Sequence, residues 1–123
     1  MSIKIVCATD DGTNFSKKHF GSAQKYQFYS LDPENGKIWF IKEIENLTPA
    51  EKAHGDPDKA NAVSEVLNEA QVLVNLVFGP NIVRMRKRFV TITSTEKNIQ
   101  RWLNGIKGVQ GLQKLTRDWQ RVS

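Results

Sequence analysis

Two histidines and one cysteine bound the metal chemistry open to this 123-residue chain. A lone Cys7 permits neither an internal disulfide nor a thiolate cage, so a metal would be held by His19, His54, carboxylates or atoms that a ligand brings with it. His19 stands in Lys17-Lys18-His19-Phe20-Gly21, which sets two positive charges, an imidazole, an aromatic ring and a flexible glycine side by side. His54 is followed by Gly55 in a polar, proline-interrupted region. A third stretch, Phe78-Gly79-Pro80-Asn81, closes an apolar run and opens a helix. Glycine lets the backbone turn sharply there, and proline fits a first helical position, where its missing N–H costs nothing. Such a corner exposes unpaired backbone N–H groups at a helix start, which favour an anion or a polar ligand. A compact strand-to-helix connection uses the same two residues with no ligand at all.

The net charge of +5 is unevenly spread. Met1 to Val83 carries eight Lys/Arg against eleven Asp/Glu, a balance of −3; Arg84 to Ser123 carries ten against two, a balance of +8. A basic C-terminal third beside a mildly acidic remainder attracts nucleic acid, an acidic protein or an anionic small ligand. A solvated basic face without a partner has the same composition. No segment approaches the ~18 apolar residues of a membrane span. Met1-Ser2-Ile3-Lys4-Ile5-Val6 starts like a strand rather than a signal peptide, which makes the cytoplasm the expected location.

The elements that must position these residues follow from periodicity and turn chemistry. One domain over residues 1–104 and a basic tail over 105–123 fit the length. Ile3 to Ala8 reads as a strand ending at the turn formers Thr9-Asp10-Asp11-Gly12. The connection from Asp10 to about Ala23 is long, a property of functional or mobile loops. Lys25 to Leu31 and Lys37 to Glu45 form an antiparallel hairpin around Asp32-Pro33-Glu34-Asn35-Gly36. Asp56 and Pro57 open an amphipathic helix that runs to about Ala70. Val72 to Val77 is a continuous run rich in β-branched residues, the mark of a strand buried on both faces.

The helix from Pro80 takes Ile82, Val83, Met85 and Phe89 as its apolar side, with Arg84, Arg86, Lys87 and Arg88 at its end, where positive charge suits the dipole. Phe89 to Thr93 is a fifth strand. Thr93 with Glu96 resembles a capping box for a helix striped by Ile99, Trp102, Leu103 and Ile106. The spacing Gly105, Gly108, Gly111 then argues against one continuous helix. Leu112, Leu115, Trp119 and Val122 describe a short basic amphipathic helix, packed on its own domain or ordered by a partner.

This order predicts an α/β fold of three layers, α/β/α, with an antiparallel meander of three strands followed by two helix-linked strands. With the second strand antiparallel to its neighbours, the carboxyl ends of the first, third, fourth and fifth strands share one edge. Ligands of open α/β sheets bind outside such an edge. His19-Phe20-Gly21, His54-Gly55 and Phe78-Gly79-Pro80 therefore converge on one rim.

Those landmarks carry a family likeness. Ser16-Lys17-Lys18-His19-Phe20-Gly21, His54-Gly55 and Phe78-Gly79-Pro80-Asn81, in this order, resemble the dinitrogenase iron-molybdenum cofactor biosynthesis family over about Ile3 to Leu103. The resemblance implies a ribonuclease H-like fold with a five-stranded mixed sheet ordered 3-2-1-4-5. It implies a non-catalytic carrier related to nitrogen fixation, which binds and hands on an iron-sulfur or iron-molybdenum cofactor or its precursor. The expected partners are then the anionic metal cluster and a cofactor-assembly protein, with no membrane. Such cargo brings its own sulfides and needs from its carrier only one or two exchangeable ligands, cationic surroundings and N–H donors. His19 and His54 could supply imidazole, Lys17 and Lys18 charge, and Gly79 with Asn81 backbone donors. Cys7, inside a strand, reads as a small buried apolar residue.

Two other classes of function stay open. A ribonuclease H-like nuclease would need clustered carboxylates for two metal ions, and the acids near the rim are Asp10, Asp11 and Asp56. Asp10 and Asp11 fit a turn and Asp56 a helix cap. A regulatory or nucleic-acid-binding module would use Arg84 to Arg88 and the tail, with Trp102 and Trp119 as stacking groups.

Overall fold

Five strands build one mixed sheet in the computed structural model of the chain, which describes residues 2–46, 62–80, 82–106 and 109–122. They are β1 (Ile3–Thr9), β2 (Lys25–Leu31), β3 (Ile38–Glu45), β4 (Val72–Asn75) and β5 (Val90–Thr93). Their order is β3-β2-β1-β4-β5, with β2 antiparallel to both neighbours and β4 parallel to both β1 and β5. The expected topology is thus the observed one. Four α-helices and a 3-10 turn at Phe20–Ser22 accompany the sheet among the described residues: α1 (Ala62–Glu69), α2 (Ile82–Met85), α3 (Ile99–Ile106) and α4 (Val109–Val122).

Side chains alternate across a strand, so each strand feeds two cores. Ile3, Ile5, Cys7, Tyr29, Leu31, Val72 and Val74 form one face with Ile99 and Leu103 of α3 and Leu115 of α4. Val6, Ala8, Tyr26, Phe28 and Leu73 form the other with Val66 of α1 and Phe89. Helices on both faces explain why the central strands read as unbroken apolar runs. Lys42 on β3 reaches the α1 side, where its Nζ lies 3.0 Å from Glu65 and 2.7 Å from Glu69.

Several boundaries differ from those the sequence suggests. β4 ends at Asn75, not Val77, because the Asn75 side chain bonds the chain that follows. The helix after Pro80 is a single turn, and Val83, expected on its apolar side, is 65% exposed while Met85 and Phe89 pack inward. Thr93 does not cap α3. Asn98 does, its Oδ1 accepting the Arg101 N–H at 3.0 Å, while Ser94 and Glu96 bond each other in the turn before it. The first turn expected of α1, with Asp56 and Pro57, lies outside the described residues.

The C-terminal segment folds back as α4. Leu115 is buried in the core and Trp119 packs against it. Gly111 makes the approach of α3 and α4 possible: a Cβ built there would lie 2.9 Å from the backbone of Ile106, whereas one on Gly105 meets nothing within 4 Å. Helix propensity alone favours alanine over glycine by ~1 kcal/mol at either position. We therefore expect opposite signs on urea unfolding. Gly105→Ala should gain ~0.5–1 kcal/mol, while Gly111→Ala should lose ~1–3 kcal/mol through overpacking; equal gains would show that the contact is not made.

Candidate functional site

The long connection after β1 is stitched down. The Thr9 hydroxyl donates to the Asn14 carbonyl (2.6 Å) and accepts the Gly12 N–H (2.9 Å), where Gly12 takes a φ of +84° that suits glycine. Asp11 accepts the N–H groups of Thr13 and Asn14, both at 2.8 Å. The Asn14 N–H first, then that of Thr13, holds its carboxyl below the ordinary value. The charged carboxylate therefore contributes to stability fully above the usual carboxylate range, and this support fades as pH falls through the lowered value. Phe15 donates to the Lys97 carbonyl (2.9 Å), and Ile99 donates to that of Thr13 (3.1 Å). Ser16 donates to Asp10 through its hydroxyl (2.8 Å) and accepts the Lys18 N–H (3.0 Å). Asp10 also accepts the Gln24 N–H at 2.9 Å.

These bonds deliver the Lys17-Lys18-His19 stretch to the end of β4. There Asn75, wholly buried, donates through Nδ2 to the carbonyls of Lys18 (2.8 Å) and Val77 (3.0 Å). The Val77 carbonyl also accepts the Phe20 N–H at 3.1 Å. Phe20 is buried, stacked on Phe78 with ring centroids 5.4 Å apart, and its carbonyl accepts the Tyr26 hydroxyl at 2.7 Å. Burial pushes the Tyr26 hydroxyl pKa up, which keeps that donor protonated.

The His19 ring then lies against Gly79: a Cβ built on Gly79 would sit 3.0 Å from His19 Nδ1. The absence of a side chain at Gly79 is what gives the imidazole its place.

Of the residues singled out by sequence, His19, Phe20, Phe78 and Gly79 are therefore in one corner, with Lys17 and Lys18 on the approach to it. Lys17, Lys18, His19, Gly21 and Pro80 are exposed, Phe78 and Gly79 are half-buried, and Phe20 contributes its ring to the core beneath. The Gly21 carbonyl accepts Asn46 Nδ2 at 3.2 Å, which ties the end of β3 to the same edge. His54, Gly55 and Asn81 lie outside the described residues. With α2 only one turn long, little dipole is available at its start, and attraction of an anion rests on the two lysines. Asn75, Asp10 and Ser16 hold the corner together; Asp10 was expected near the rim and Ser16 opens the first landmark, while Asn75 was not among the residues expected there. The signal for Asn75 was present: one amide interrupts the apolar run VLVNLV. Its Oδ1 is buried and accepts no hydrogen bond among the described residues; being an acceptor, it is the wrong polarity to grip a sulfide.

Residues of the competing readings are otherwise engaged. Asp10 and Asp11 spend their oxygens on the loop, and Asp56 lies outside the described residues. Among those residues no three His, Cys, Asp or Glu side chains gather into a metal-binding group. Arg84, Arg86, Lys87 and Arg88 are exposed, Arg88 lying over the Phe89 ring. Trp102 meets Phe15 edge-on at 6.0 Å and Trp119 packs on the core, so neither ring lies free to stack on a base. Cys7 is fully buried, and burial pushes its thiol pKa up, as suits an inert core residue.

The mixed sheet, its strand order and its helices on both faces define a small three-layer α/β/α domain with a cationic, imidazole-bearing rim. A family model described as dinitrogenase iron-molybdenum cofactor matches residues 1–106. The chain belongs to that family. α4 lies beyond the match. A search of curated proteins finds no match to the chain. No helix among the described residues is long and apolar enough to cross a membrane.

Two substitutions separate the parts of the corner. Asn75→Ala takes the described donor from the Lys18 carbonyl and leaves that of Val77 with the Phe20 N–H alone; it should cost ~1–3 kcal/mol in urea unfolding, with His19 resonances moving. Gly79→Ala should cost less than ~1 kcal/mol, because the exposed imidazole can swing away, and yet shift the His19 ring signals in NMR spectra. An unmoved His19 in Gly79→Ala would show that the ring does not rest on Gly79.

Proposed function

We propose that this chain binds an iron-sulfur cluster of the iron-molybdenum type, or its precursor, and hands it to a cofactor-assembly protein without transforming it. The observation that carries the reading is the His19 imidazole set against bare Gly79, beside Lys17 and Lys18, at the carboxyl rim of β1 and β4. Family membership gives the cargo its class. The cluster is a cargo, which supplies its own sulfides and iron. The protein has only to offer an exchangeable ligand and a cationic approach.

An imidazole on an exposed loop is such a ligand. It binds iron through a neutral nitrogen and can leave again without refolding of the domain. His19 is assigned that role, and His54 with Gly55 and Asn81 are assigned to the same site on their family positions. Lys17 and Lys18 lower the energy of an approaching anionic cluster, more so at low ionic strength. Phe20, Phe78 and Pro80 form the wall of the corner, and Gly21 and Gly79 leave room beside it. The sulfur face of the cargo is turned toward cations and N–H donors, not toward Asn75 Oδ1.

Anaerobic incubation of the full chain with isolated iron-molybdenum cofactor, followed by gel filtration, tests this reading. Iron and molybdenum should elute with the protein, with the visible absorption of the cluster. His19→Ala should lower retained metal by about tenfold or more. Lys17→Ala with Lys18→Ala should reduce uptake and flatten its salt dependence. Full retention in the double variant His19→Ala/His54→Ala removes the histidines from the site. Absence of co-elution in the unaltered chain overturns the carrier function.

A further inference from the structure

We propose that the cleft between β5, α3 and α4 binds a small zwitterion with a bulky apolar tail, an α-amino acid of the phenylalanine type. The cleft has a volume of about 330 Å³. That is the low end for a ligand pocket, with room for one small molecule and not for a length of peptide or nucleic acid. It shares no residue with the corner around His19, and its α4 wall lies beyond residues 1–106, the part that the family model matches.

Each wall contributes a different chemistry. α4 presents Gly111, Lys114, Leu115 and Asp118, which recur at helical spacing and so share one side. Leu115 is buried, and bare Gly111 lets this side come down on Ile106. α3 adds Ile106 and, one turn before it, Trp102, which is half-buried and meets Phe15 with one edge. Together with Ile92 these residues make the apolar part of the cleft. β5 is the last strand of the sheet and pairs with β4 alone. The Val90 N–H donates to the Gln71 carbonyl and the Ser94 N–H to that of Asn75, so Val90, Ile92 and Ser94 turn their main chain toward β4. The main-chain groups of Thr91 and Thr93 consequently face the open side, where both residues line the cleft.

Two opposite charges stand beside this apolar floor. Lys114 is exposed and Asp118 half-buried, and among the described residues neither joins an ion pair. They are one turn apart with the base first, the weaker order for pairing along a helix. Their Cβ atoms are then about 5–6 Å apart, a span that the neighbouring ammonium and carboxylate of an α-amino acid can bridge. An anion without an ammonium would satisfy Lys114 and face Asp118 with like charge; a cation without a carboxylate would do the reverse. The ligand's carboxylate is assigned to Lys114, its ammonium to Asp118, and its side chain to Trp102, Ile92 and Ile106. A ring in that place gains the contact that aromatic pairs provide. Both charged groups keep part of their hydration, so binding is modest, with a dissociation constant on the order of 1 mM.

Titration of the full chain with L-phenylalanine, followed in proton–nitrogen NMR spectra, tests the proposal. Signals of Thr91, Ile92, Thr93, Lys114 and Asp118 and of the Trp102 indole N–H should shift together and saturate. Phenylpropionate, which lacks the ammonium, and phenethylamine, which lacks the carboxylate, should each bind about fivefold or more weakly than L-phenylalanine. Lys114→Met, shown folded by circular dichroism, should weaken L-phenylalanine about fivefold and should not weaken phenethylamine. Asp118→Asn should weaken L-phenylalanine to a similar extent and should not weaken phenylpropionate. No shift at about 10 mM, ten times the expected constant, shifts centred on another part of the chain, or equal binding of the three compounds would each overturn it.

Discussion

The amide of Asn75 is the contact on which the rim depends. A polar side chain buried at the end of a central parallel strand must spend its donors on something, and here it spends them on the carbonyls of Lys18 and Val77. That choice ends β4, pulls the loop after β1 across the sheet and brings Phe20 onto Phe78. The His19 ring then comes to rest on Gly79. The corner is thus held from below by a buried bond pair and a ring stack, while its chemical groups stay in water. A rigid floor under exposed side chains is what the proposed carrier role asks of this corner.

Electrostatics follow the same division. Among the described acids of the first two-thirds of the chain, Asp10, Asp11 and Asp32 hold turns and loop, and Glu43, Glu65 and Glu69 face lysines. The lysines beside His19 remain exposed. The basic C-terminal third puts its charge on the surface of a short helix and on α4, whose apolar side joins the core through Leu115. Exposed positive charge thus lies beside His19 and on the C-terminal third, an arrangement for anionic partners in general rather than for one sequence of bases.

Much of this was legible in the residues. The unbroken run at β4, the hairpin signal at Asp32 to Gly36 and the alternation of elements predicted a three-strand meander followed by two helix-linked strands, because parallel crossovers leave few topologies, and the family resemblance supplied the order. Convergence of His19 with Gly79 followed from that order. What was not legible depended on partners chosen in three dimensions. Asn75 advertises a buried amide but not which carbonyls it meets. Thr93 and Asn98 are both good caps, and only the path of the chain from β5 decides for Asn98. Val83 has the right type for a core and the wrong azimuth on a helix of one turn. The glycines near 105–111 read as breakers, whereas Gly111 serves the close passage of two helices. The imidazole of His54, expected beside His19, falls among residues not described.

The bonds that fasten the loop after β1 to the rest of the rim join positions distant along the chain. Lys18 meets Asn75 across 57 positions, and Phe15 and Thr13 reach Lys97 and Ile99. During synthesis the β1–β2–β3 meander has all its strands before any of these partners exists. A nascent chain is therefore unable to assemble the corner until Asn75 has left the ribosome, and it gains the outer anchor only some two dozen residues later. The corner, and with it the proposed binding site, is thereby confined to finished molecules.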